Sequence, residues 1–142
     1  MMLLPSARPI AVATSITSTS PLRGAPAVIY AGALSSNGTT AAKASLASYS
    51  NYAGTDKTIQ NNFLVVGVAS NQTGLAGTSF AAPIISGYAA VVGSKFTKAT
   101  STQIVNQLLT TARTDTIRNY QASLHGRGEA SLSRALAPVS IR

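Results

Sequence analysis

The chain has 142 residues, of which 45% are apolar and 10% are charged, which suits one folded domain and excludes an intrinsically disordered chain. It contains no cysteine, so disulfide frameworks, zinc–thiolate sites and cysteine catalysis are excluded. The formal net charge is +8, but the basic residues are scattered singly, which favours a solvated surface over a nucleic-acid site.

The N-terminal segment, residues 1–20, is rich in Ser, Thr, Ala and Pro and lacks the basic start of a secretory signal. It is predicted to be irregular, with a short extended piece at residues 10–13. Residues 27–33 are apolar and precede a Ser-Ser-Asn-Gly turn, so they are predicted to form a buried strand. No stretch approaches the roughly 18 apolar residues of a transmembrane segment.

Two further strands are predicted in the middle of the chain. Residues 46–50 give a weak signal, whereas residues 63–68 give the strongest one. The stronger segment is continuously apolar and rich in Val, as in a strand covered on both faces. Residues 71–74 then supply the chemistry of a turn.

The hydrophobic period changes to that of helices after residue 79. Residues 80–92 are apolar nearly all round, which predicts a buried helix with Pro83 in its first turn and Gly93 near its end. Thr100 opens a capping box at the start of a second helix. The turn at residues 126–128 is followed by a predicted short helix at residues 130–136.

Ser79 stands after Gly-Thr and directly before the predicted buried helix. Backbone N–H groups point outward at such a helix start, with the positive end of the helix dipole behind them. A developing oxyanion would be stabilised there, so Ser79 is a candidate nucleophile. The alternative role is a plain helix N-cap, which serine often provides.

The full segment reads Gly77-Thr-Ser-Phe-Ala-Ala-Pro-Ile-Ile-Ser-Gly87 and resembles the nucleophile motif of subtilisin-like serine proteases, the subtilases. The similarity extends to segments on both sides, over about residues 21–138. It implies an incomplete subtilisin-like three-layer α/β fold, with a largely parallel sheet and a buried nucleophile helix. Residues 21–142 would then be the C-terminal part of a subtilase catalytic domain.

The chain departs from the family pattern before the serine. Subtilases carry a catalytic Asp and then a catalytic His well upstream of the nucleophile, whereas here only Asp56 and no histidine precede Ser79. The oxyanion-stabilising Asn of the family is also missing, since the first asparagine is Asn37, after the first predicted buried strand. The resemblance therefore implies a serine endopeptidase with Ser79 as nucleophile, and a chain that is inactive alone.

The lone histidine, His125, is predicted to be a turn or surface residue rather than a base. A catalytic order of Ser79, Asp115 and His125 would match the α/β-hydrolases. It is disfavoured, because that fold needs Gly-x-Ser-x-Gly directly after a strand, and this motif continues with Ala81. Asp115 and Arg113 are expected to make ordinary loop contacts.

The resemblance also implies partners and a location. A polypeptide would be the substrate if an N-terminal half completed the domain, and the family suggests secretion or the cell envelope. No cofactor is evident; the intact family fold can bind calcium in some members, and few acids remain here to bind it. Without that half, much of the helix at residues 80–92 would be exposed. The alternative function is a non-catalytic subtilase remnant that serves as an interaction or structural module.

Overall fold

The strands form a parallel sheet in a computed structural model that describes residues 11–13, 28–68 and 80–141. Their order in the described residues is β1 (Ala11–Ala13), β2 (Val28–Leu34) and β3 (Phe63–Gly67). The register places Tyr30 of β2 opposite Phe63 and Leu34 opposite Gly67. The largely parallel sheet predicted from the sequence is confirmed.

Every residue of β2 and β3 is buried, which explains their continuous apolar sequence. Alternate side chains face opposite sides of the sheet and join two separate core clusters. One cluster contains Ile29, Ala31, Ala33, Leu64 and Val66, and the other contains Val28, Tyr30, Leu34, Phe63 and Val65. The strands predicted at residues 27–33 and 63–68 are therefore confirmed to within one residue.

Helices and irregular segments cover both faces of the sheet. The helices are α1 (Lys57–Asn61), α2 (Ala81–Lys95), α3 (Ser101–Thr110), α4 (Ala122–His125) and α5 (Leu132–Leu136). Residues of α2, α3 and α5 pack into the first cluster, while Ile59 of α1 and the irregular residues Ala44, Ala53 and Ile117 pack into the second. This arrangement gives the three layers expected of the fold. No helix in the described ranges is both long and apolar enough to cross a membrane.

The long helix α2 is buried along one face only, although its sequence is apolar nearly all round. Its buried face includes Ala81, Ile85, Ala89 and Val92, which recur at helical spacing. Its outer face, here called the outer stripe, consists of Pro83, Gly87 and Val91; all three are exposed, and Val91 retains 42% of its accessible surface. The prediction that this helix is buried on all sides is therefore wrong, because one of its faces is exposed.

The start of α3 confirms the predicted capping box. Thr100 Oγ1 accepts a hydrogen bond from the Gln103 backbone N–H at 3.2 Å, and Gln103 Oε1 accepts from the Thr100 N–H at 2.8 Å. The last helix begins at Leu132 rather than residue 130, because the Ala130 N–H donates to the Val65 carbonyl oxygen of β3 at 2.9 Å. That hydrogen bond holds the preceding residues extended beside the strand.

The weak strand predicted at residues 46–50 is wrong. Leu46 forms only an isolated antiparallel bridge with Leu34, and the residues after it turn. The hydrogen bonds of this segment to β2 involve one residue, Ala33, which lies past the residues of β2 that pair with β1. The Ala33 N–H donates to Ser50 Oγ at 2.8 Å, and its carbonyl oxygen accepts from the Ala47 N–H at 2.9 Å. The Ser50 hydroxyl thus accepts the backbone N–H that a carbonyl oxygen of a regular strand would have accepted.

Candidate active site

The candidate nucleophile, Ser79, lies outside the described residues, as does the turn predicted at residues 71–74. The chain leaves the sheet after Gly67 and enters α2 at Ala81, so residues 69–79 connect the carboxyl end of a buried parallel strand to a helix. Sites in open parallel sheets form at the carboxyl ends of the strands. The elements on either side of Ser79 are therefore of the kind that carries such a site.

The start of α2 presents backbone donors. Phe80 occupies the N-cap position in a helical conformation, with φ −85° and ψ −16°, and its side chain makes no capping hydrogen bond. Pro83 is the third residue of the helix, so it lies in the first turn, where a missing N–H costs little. The free N–H groups of a first turn and the helix dipole both favour negative charge.

Two of the three acids in the sequence have structural roles at loops. Asp56 caps α1, since its Oδ1 accepts from the Thr58 N–H at 2.9 Å. Asp115 forms a bidentate pair with Arg113, through Nε to Oδ1 at 2.9 Å and a terminal guanidinium nitrogen to Oδ2 at 2.7 Å. The hydrogen bond from Arg113 holds the pKa of Asp115 below its ordinary value. The expected loop contact between these two residues is confirmed.

The third acid, Glu129, is buried, with 7% of its surface exposed. Its Oε1 accepts from the Thr116 hydroxyl at 2.6 Å, and its Oε2 accepts from the Gly38 N–H at 3.1 Å. Sequence reasoning missed this residue as a buried group. The available signal was a charged side chain between a glycine turn and an apolar helix, a position that more often marks a solvated loop.

His125 is the last residue of α4, directly before the predicted turn, and it is buried, with 3% of its surface exposed, so the prediction of a surface residue is wrong. Its Nδ1 lies 3.1 Å from both the backbone N and the backbone O of Gln121. Burial lowers the pKa of His125 below its ordinary value, and the hydrogen bond with Gln121 opposes that shift. The imidazole thus lies at the end of α4, where burial disfavours its charged form.

His125 lies near the start of β3, whereas the segment that carries Ser79 follows the end of that strand in the sequence. The turn after His125 lies against Phe63, the first residue of β3, because the Arg127 N–H donates to the Phe63 carbonyl oxygen at 2.8 Å. The carboxyl end of a five-residue strand lies about 13 Å from its start, at about 3.3 Å per residue.

The structure also gives no support to the hydrolase order of Ser79, Asp115 and His125. Among the described residues, no hydrogen bond joins Asp115 to His125; the first is paired with Arg113 and the second with Gln121. A triad needs its acid to orient the imidazole directly. The geometry thus agrees with the interpretation from sequence.

The carboxyl end of β3 is covered by a loop that the sequence analysis assigned only to a turn. A Cβ atom added at Gly67 would overlap the backbone nitrogen of Asn37 and the carbonyl carbon of Ser36. Asn37 also lines an open cavity of about 330 Å³, together with Tyr88 of α2 and Glu129. The loop after β2 and the core of the molecule therefore meet where the Ser79 segment begins.

A calcium site does not fit the carboxylates that are present. Asp56, Asp115 and Glu129 already accept hydrogen bonds from protein groups. Within the described ranges, no three His, Asp or Glu side chains come together in a way that could hold a metal. Calcium binding usually draws on several oxygen ligands at one place.

Comparisons with known proteins show which family and which solved structure this chain is similar to. The sequence model of the subtilase family matches residues 11–129. Among solved structures, the self-cleaved protease domain of PatA is similar, with a TM-score of 0.59 and 23% sequence identity. The match covers 82% of this chain and 42% of that one, so the chain spans less than half of that domain. No curated protein matched.

Proposed function

Because the chain belongs to the subtilase family, we propose that it is the part of a serine endopeptidase that carries the nucleophile, Ser79. The observation that carries this proposal is the family match across residues 11–129, which includes the whole Gly-Thr-Ser motif. The similarity to a solved protease domain supports the fold. The substrate class is polypeptide.

The proposed chemistry assigns two roles to this chain. The Ser79 hydroxyl attacks the carbonyl carbon of a peptide bond, forming a tetrahedral intermediate and releasing its proton to a base. Backbone N–H groups at the start of α2, whose first turn is described from Ala81, stabilise the negative oxygen. The base that takes the proton must also be oriented by a third group.

The base and its orienting acid come from outside this chain in our proposal. The sole histidine contacts the backbone of Gln121, and all three acids have structural partners. Loss of the triad histidine lowers kcat by about 10⁶-fold in a serine protease of this kind. We therefore propose that an N-terminal half completes the domain and that the enzyme works outside the cell or in its envelope.

A second candidate is a non-catalytic subtilase module that acts through its surface. The observation that favours it is the structural use of His125 and of every acid in the sequence. Against it stands the complete nucleophile motif, which a binding module does not need. The two candidates differ in one measurable property, the reactivity of Ser79 once the domain is completed.

The experiment begins with the DNA upstream of the Met1 codon, translated in all three frames. We expect an open frame with an Asp, a later His and a Gly-Asn step. The chain extended by that frame should react with a fluorophosphonate probe, and the same extended chain with Ser79→Ala should not. An extended chain that carries the Asp and His yet leaves Ser79 unlabelled would support the non-catalytic module.

A further inference from the structure

The outer stripe of α2 differs in chemistry from the outer face of the next helix. On α3 the exposed residues that recur at a spacing of four are all polar: Thr102, Asn106 and Thr110. The outer stripe has the same spacing and is also exposed, but it has no polar side chain. The two helices therefore present, within one chain, a face that suits water and a face that does not.

The centre of the outer stripe is Gly87, a glycine in the interior of a helix. Glycine is less favourable than alanine at such a position, because its backbone loses more conformational freedom on folding. Apart from its own helix, no atom of the described residues lies within 4 Å of a Cβ built at Gly87. No contact in this part of the chain therefore requires the glycine, whereas the close approach of a second backbone would require it.

The surface on both sides of the outer stripe is uncharged. Its flanks are half-buried residues of the same helix: Ile84, Ser86, Tyr88 and Ala90. The only charged residue of α2 is Lys95, at the very end of the helix. Ile84 and Tyr88 also pack against the first core cluster, so the outer stripe continues an apolar surface that reaches into the core. A helix that is apolar all round is typical of packing on more than one side.

The observations favour a further part of the domain over a second copy as the partner of this surface. The other face of α2 already contacts all three strands of the sheet. The chain spans 42% of the similar solved protease domain, so the larger part of a domain of that size lies outside it. A second copy would bring together two molecules with a net charge of +8 each, which opposes association.

We propose that the outer stripe is the docking surface for the N-terminal half of the domain, and that an apolar segment of that half crosses α2 at Gly87. The inference rests on the proposed function, which supplies that half. Docking removes the apolar stripe from water, and the glycine lets the two backbones come closer than a side chain would allow. The surface acts in the assembly of the domain and touches no reacting atom.

The first test measures protection of the outer stripe in the extended chain, and it uses the absence of cysteine from the sequence. Val91→Cys places a thiol on the stripe, and Asn106→Cys places the matched control on the polar face of α3; any cysteine in the extension is replaced by serine. We expect iodoacetamide to alkylate the Val91→Cys thiol about tenfold more slowly than the control, because a covered thiol reacts only when its cover opens. Equal rates would overturn the proposal.

The same two variants of the 142-residue chain identify the occupant. Here the stripe is exposed, so the two thiols should react at similar rates at every protein concentration. Protection of the Val91→Cys thiol that increases with protein concentration would show that a second copy covers the stripe, and it would overturn the proposal.

Gly87→Leu provides an independent test, because its expected effect has opposite signs in the two chains. In the 142-residue chain the side chain has room and leucine is the better helix former, so the urea midpoint should rise. In the extended chain the same side chain would meet the docked segment, so the midpoint should fall. Asn106→Leu is the matched control and should lower the midpoint of neither chain. A rise for Gly87→Leu in the extended chain would contradict the docking surface.

These measurements separate the docking surface from the proposed function, because neither depends on catalysis. An extended chain that protects the Val91→Cys thiol but leaves Ser79 unlabelled by the fluorophosphonate would reject the nucleophile and support the docking surface. An extended chain in which Ser79 is labelled and the Val91→Cys thiol is unprotected would support the nucleophile and reject the docking surface.

Discussion

The imidazole ring of His125 stacks on the phenol ring of Tyr120, with the ring centroids 5.7 Å apart and the ring planes inclined by 27°. The Tyr120 hydroxyl donates to the carbonyl oxygen of Gly126, so one tyrosine contacts both the histidine and the turn after it. That turn packs on Phe63 at the start of β3. His125 therefore belongs to the closure of the fold.

This role predicts a pH-dependent stability. Burial lowers the pKa of folded His125 below its ordinary value of 6.5, so between the two values the unfolded chain binds more protons than the folded one. The free energy of unfolding should be fully retained above about pH 6.5 and should fall as the pH drops below it. Urea unfolding between pH 7.5 and 5 measures this decrease.

The sequence supplies a clean control for that titration, because His125 is its only histidine. His125→Gln cannot titrate in this range, and its stability should depend less on pH than that of the parent chain. Equal pH slopes for the two proteins between pH 7 and 5 would show that His125 is not buried in the neutral form.

The one-sided burial of α2 predicts unequal effects of two apolar truncations on the same helix. Ile85 is fully buried, so Ile85→Ala should lower the free energy of unfolding by about 2–5 kcal/mol. Val91 belongs to the outer stripe, so Val91→Ala should change it by about 0.5 kcal/mol or less. Urea unfolding of both variants tests the orientation of the helix; similar losses would mean that the stripe is covered.

The capping box of α3 predicts a measurable loss at one hydroxyl. Thr100→Ala removes the acceptor for the Gln103 N–H and should cost about 1 kcal/mol of stability. Thr97→Ala is the matched control, because Thr97 is exposed and lies before the cap. Thermal unfolding of the two variants should give a clearly lower Tm for Thr100→Ala alone. Equal Tm values would show that the capping box does not stabilise the protein.

Much of the fold follows from local patterns in the sequence. β3 is continuously apolar because both of its faces are buried, and α3 carries its own start signal at Thr100. The short helices α1 and α4 escaped prediction because four or five residues hold too few turns to show a hydrophobic period. The false strand at residues 46–50 gave only a weak signal, and its hydrogen bonds to β2 go to a single residue, Ala33.

The candidate site, like the fold, could be predicted from the sequence only in part. The nucleophile motif around Ser79 is recognisable because its residue types recur in a fixed local order. The burial of Glu129 and of His125 could not be predicted, since each depends on partners that only the fold brings near. For Glu129 the decisive partner, Gly38, is 91 residues away along the chain, and for His125 the decisive surface is the start of β3.

The most direct test of the central claim, that Ser79 is a nucleophile whose base lies outside this chain, is fluorophosphonate labelling of the purified chain, read by mass spectrometry. The parent chain and Ser79→Ala should give the same background, because the sole histidine, His125, contacts Gln121 and every acid has another partner. A covalent adduct on Ser79 that the Ala variant lacks would contradict the claim, since it would show that this chain supplies its own base.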